Sequence, residues 1–138
     1  MEHFNDEAEL NAVVEGFESC TTRGDAFTHG QHLAVAVWYI TQYGEAEALK
    51  RMRAGLFRFL AQHGVEAQKY SETTTQFWLK QVQKVLKDSP QSSIADRANS
   101  VIRAHPRSRL IFDYFSEELL KSEDARSHWV EPDLKLVN

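Results

Sequence analysis

Three observations predict an all-α fold for this chain of 138 residues. Apolar residues recur at helical spacing along most of its length. Only 6 Gly and 3 Pro interrupt them. No stretch of useful length alternates apolar and polar residues as a half-buried strand would. The expected architecture is one domain over 1–138, a helical bundle of four to five main helices with a short helical C-terminal extension. The length suffices to bury a real core.

Asn5 is expected to cap a first helix over Asp6–Cys20, with early acidic residues suited to the positive end of the helix dipole. Leu10, Val13, Val14 and Phe17 form its apolar stripe. Thr28 and Gln31 have the T-x-x-Q spacing of a capping box and open a second helix. Its segment Leu33–Ile40 is apolar around nearly the whole circumference, which marks a central helix contacted on several sides. Gly44 is placed to stop it. A third helix over Glu45–His63 buries Leu49, Met52, Leu56, Phe59 and Leu60, and Gly64 ends it.

Ser71 then caps a fourth helix, Glu72–Lys87, in which Thr75, Trp78, Leu79, Val82, Val85 and Leu86 share a face. The polar, proline-containing segment 88–93 is a break. A fifth helix over Ile94–His105 buries Ile94, Ala98, Val101 and Ile102 and stops before Pro106. Two short helices, Arg109–Phe115 and Ser116–Trp129, and an extended tail after Pro132 complete the reading. This extension is expected to pack across the second helix.

A net charge of -4 provides no general basic field, so neither nucleic acid nor an anionic membrane surface is an expected partner. The longest apolar run is far short of the ~20 residues that cross a bilayer. A secretory leader needs a basic start and an apolar run, whereas 1–10 carries Glu2, Asp6, Glu7 and Glu9. The single cysteine, Cys20, allows no intrachain disulfide, and a cytoplasmic location is expected.

The turns gather polar side chains at one end of the bundle. The short link at Gly44 makes the second and third helices antiparallel neighbours. Gly44 lies fifteen residues from both His29 and Phe59, so His63 overshoots His29 by only about 6 Å along the axis. A compact 64–71 link starts Glu72 at that end, and His105 returns to it. His29 and His32, related i to i+3, share a helix face and can hold one cation together. With Glu72, and His63 as a fourth ligand, they form a set suited to zinc or iron. Tyr70, Thr73, Thr74 and Thr75 place hydroxyls at the start of the fourth helix, where a carboxylate or phosphate can sit.

Each of these residues has an ordinary structural reading as well. Polar residues in a first turn satisfy free backbone groups, histidines near C-termini suit the dipole, and Glu72 after a serine cap is good capping chemistry. Trp38, Tyr39 and Trp78 at helical spacing read first as core. Arg51, Arg53 and Arg58 read as a solvated face. Phe57 and Phe77 fall outside the buried stripes and can supply an interaction surface.

The segments Phe27-Thr-His-Gly-Gln-His-Leu33, Tyr70-Ser-Glu-Thr-Thr-Thr-Gln-Phe-Trp78 and Trp129-Val-Glu-Pro-Asp-Leu134 resemble those of a group of small bacterial helical proteins without an assigned activity. The resemblance implies that His29, His32, Tyr70, Glu72, Thr73 and Thr75 occupy motif positions. Ser71 stands where that group usually has His, which weakens a metal site needing the missing imidazole. The expected function is a pocket for a small ligand or divalent metal at the starts of the second and fourth helices. The alternative is a non-enzymatic interaction module, such as a homodimer.

Overall fold

The near-continuous apolar surface of Leu33–Ile40 needs neighbours on all sides, and it has them. In the computed structural model, which describes residues 2–88 and 92–137, α2 (His29–Tyr43) packs against α1 (Glu7–Glu18), α3 (Glu45–Gln62), α4 (Glu72–Asp88) and α5 (Ile94–Ala104). The described residues contain no strand, and the all-α expectation holds. Leu33, Ala34, Val35, Ala36, Val37 and Tyr39 are all buried. The break expected over 88–93 falls on residues 89–91, which lie outside the described residues.

The caps set the ends of these helices. The Thr28 hydroxyl accepts the Gln31 amide and also donates to the Glu2 carboxylate. A side-chain cap of this kind is worth about 1 kcal/mol. Ser71 caps α4 by accepting the Thr74 amide, and Ser93 caps α5 through Asp96. Asp6, not Asn5, caps α1, accepting the Glu9 amide at 2.9 Å. Asn5 is instead occupied in holding the Glu9 carboxylate, through its backbone and side-chain N–H groups.

Gly44, at φ 84°, both ends α2 and starts α3, a conformation that residues with a Cβ rarely adopt. Gly55 lets α3 approach α1 closely, because a Cβ there would run into the Phe17 ring. Asn99 clamps the N-terminal segment to α5 through both backbone groups of Phe4.

The C-terminal part differs from expectation in three ways. In place of the α-helix expected over Arg109–Phe115 there is a 3-10 helix, Ser108–Asp113. The expected helix over Ser116–Trp129 is divided into α6 (Glu117–Lys121) and α7 (Glu123–Ser127). Ser122 makes the division: its extended backbone (ψ 151°) ends α6 and its hydroxyl caps α7 through Ala125. The extension packs against α4, not across α2. Phe77, expected at the surface, is fully buried, and with Ile111 and Phe115 it centres a second apolar cluster. That cluster draws the extension to the outer side of α4. Trp78 packs against both this cluster and the main core.

Candidate functional site

The first turns of α2 and α4 face one another across a cavity of about 550 Å³. Its walls are mostly apolar: Phe27, Leu33 and Ala36 from the α2 side, Met52, Leu56 and Leu60 from α3, Trp78 and Leu79 from α4. Leu56 and Leu60, expected in the buried stripe of the third helix, are only half-buried because they face this space. Polar groups are concentrated in His29, His32, Lys69, Tyr70, Ser71, Thr74, Thr75 and Ser108.

The two histidines of the α2 turn are both present in the wall. His29 Nε2 lies 2.9 Å from the His105 carbonyl oxygen. A carbonyl only accepts, so this nitrogen carries the proton and Nδ1 is the ring's remaining acceptor. The ring also meets Trp78 edge-on, with centroids 4.7 Å apart. Burial lowers the pKa of His29, against the opposing pull of the His105 carbonyl. His32 stacks on Phe27 at 4.1 Å and makes no ring hydrogen bond among the described residues. Burial first, and then the neighbouring His29, push it down to about 4. Both imidazoles are therefore neutral at neutral pH.

Glu72 does not join them. Its carboxylate accepts from Arg53 through both oxygens (2.9 and 2.7 Å), from the Tyr70 hydroxyl at 2.7 Å and from Gln76 at 2.7 Å. Burial raises its pKa, but these bonds and the Arg53 charge outweigh burial and hold it at about 2. Arg53 is thus committed to an ion pair and is not part of a merely solvated face. His63 packs on Phe59 at the end of α3 and is exposed. Among the described residues no three His, Cys, Asp or Glu side chains are grouped to hold a metal ion. The expected set of His29, His32, Glu72 and His63 is divided, because the Glu72 oxygens are taken up by Arg53, Tyr70 and Gln76.

The hydroxyl residues at the start of α4 also part company. Tyr70 and Thr75 line the cavity. The Thr75 hydroxyl donates to the Ser71 carbonyl, and the Tyr70 hydroxyl is spent on Glu72. Thr73 is fully buried on another face of α4, where its hydroxyl donates to the His128 carbonyl and accepts the Val130 amide. It tethers the C-terminal extension and does not line the cavity.

Of the aromatic candidates, Tyr39 is core, its hydroxyl bonded to Glu18 at 2.7 Å, and Trp38 packs against the core. Trp78 lines the cavity. Sequence reasoning missed Lys69 and Ser108 as wall residues. Lys69 directly precedes Tyr70 and was within reach of the same argument. Ser108 enters only because the chain after α5 turns back toward His29. No helix among the described residues is long and apolar enough to cross a membrane. No family model, no curated protein and no solved structure matches this chain.

Proposed function

We propose that this protein binds a small organic molecule in the cavity between the first turns of α2 and α4. The observation that carries the reading is the cavity itself. Its size falls within the roughly 300–1,000 Å³ of small-molecule sites, and its walls combine an apolar body with a few converging polar groups. The neutral histidines supply hydrogen bonding without the cost of a buried charge. His29, with its tautomer fixed by the His105 carbonyl, offers an acceptor, and His32 offers an unspent ring edge. An organic ligand fits this wall better than a metal ion, because the one carboxylate of the expected metal set is already paired. The rival interaction surface has lost Phe77 to the interior and retains Phe57, which is 40% exposed.

The test is a fluorescence titration with the uncharged apolar dye N-phenyl-1-naphthylamine. Saturable one-site binding is expected, abolished in Leu56→Trp, where the indole fills the cavity, and weakened in His32→Ala. Helical circular dichroism should stay unchanged in both variants. No saturable binding, or equal binding by a folded Leu56→Trp protein, would overturn the reading.

A further inference from the structure

We infer that the occupant of this cavity is a monocarboxylate with an apolar body, its acid group held at the Lys69–Ser71–Thr74 side of the wall. The inference rests on the cavity reading above and adds the chemical class of the ligand. It follows from the charges along the wall. Among the described residues Lys69 is the one lysine or arginine that lines the cavity, and no Asp or Glu does. Lys69 forms no ion pair with any described carboxylate within the chain. The nearest carboxylate in sequence, Glu72, is turned toward Arg53 and fully hydrogen-bonded there, so it does not neutralise the lysine.

The remaining groups have the same sense. Thr74 lines the wall beside Lys69 and brings a hydroxyl that can donate to a carboxylate, while the Ser71 hydroxyl donates to the Ala125 carbonyl and accepts the Thr74 amide. The axial dipole of α4, whose first turn forms this edge, also favours negative charge. A single cation matches a single negative charge, whereas a dianionic phosphate would leave one charge without a partner. The α3 part of the wall, Met52, Leu56 and Leu60, offers only apolar surface to the rest of the molecule. A cationic ligand would meet Lys69 with nothing to compensate it.

The experiment compares decanoate, decanol and decylamine by isothermal titration calorimetry at neutral pH, below their aggregation concentrations, on the full chain and on Lys69→Met. Lys69 is exposed, so its replacement should leave the fold intact. The expected result is decanoate binding about tenfold more tightly than decanol, the advantage disappearing in Lys69→Met. Equal binding of acid and alcohol, or tighter binding of the amine, would overturn the carboxylate inference and leave the cavity reading standing. An acid preference that survives in Lys69→Met would overturn the placement of the acid group. Failure of all three to bind a protein that takes up the neutral dye would also refute the ligand class. Failure of the dye as well would remove the cavity reading itself.

Discussion

Two faces of α4 do different work, although their residues come from one short stretch of sequence. Toward α2 and α3, Thr74, Thr75, Trp78 and Leu79 look onto an open cavity. On another side, Thr73 and Phe77 are closed off by the C-terminal extension, through two hydrogen bonds and a buried ring cluster. Between these faces, Glu72 and Gln76 turn toward Arg53. Successive helical residues are rotated by roughly 100°, so a run of four or five motif residues cannot all face one site. A compact run of hydroxyls and a carboxylate is thus a cavity wall, a tether and an ion pair at once.

The largest effect should come from emptying the closed face. Phe77→Ala removes a fully buried ring and is expected to cost about 4 kcal/mol in urea unfolding. Limited proteolysis should then cut first within 108–137, the segment this ring anchors. If the variant unfolds at the wild-type urea midpoint, the closed face is not load-sharing and the contrast between faces fails.

Next is the ion pair. Arg53→Met leaves the Glu72 carboxylate buried without its cation and should cost about 3 kcal/mol at neutral pH, at the lower end for such pairs because Arg53 is itself 39% exposed. In the unaltered protein the carboxyl sits at about 2, below the ordinary 4.5. Its contribution is therefore present above about pH 4.5 and lost as pH falls toward 2. Urea melts of both proteins across this range should converge at the acid end.

The cavity side has its own pH signature. His32 is held at about 4, below the ordinary 6.5, and His29 and His105 are also lowered. The unfolded chain binds more protons in this window. Stability should be full above about pH 6.5 and fall as pH drops toward 4, by about 2 kcal/mol for His32 after allowance for solvent in the cavity. His32→Leu should flatten that slope, while Thr73→Val should leave it intact.

These cases also show what the sequence made legible. The five long helices and the end of the bundle where the histidines meet follow from apolar spacing, caps and loop lengths. His29 and His32 were found because an i, i+3 pair in a first turn stays on one face. Phe77 was misread because its burial depends on Ile111 and Phe115, more than thirty residues away, which no local periodicity reveals. Glu72 and Thr73 were misassigned for the same reason. Their partners, Arg53, His128 and Val130, are set by packing across the chain.

A smaller effect separates the two threonines. Thr73→Val leaves the His128 carbonyl and the Val130 amide without their shared partner and should cost about 1 kcal/mol. Thr75→Val removes a local bond back to Ser71, which contributes little to helix stability. Paired urea melts should rank Thr73→Val as the more destabilised of the two.

The most direct test of the division between faces is amide chemical-shift mapping during titration with N-phenyl-1-naphthylamine. The account predicts perturbations concentrated at 27–36, 52–60 and 69–79, with 116–137 unmoved apart from amides next to Trp78. Strongest perturbations in the C-terminal extension, with the cavity walls silent, would contradict it.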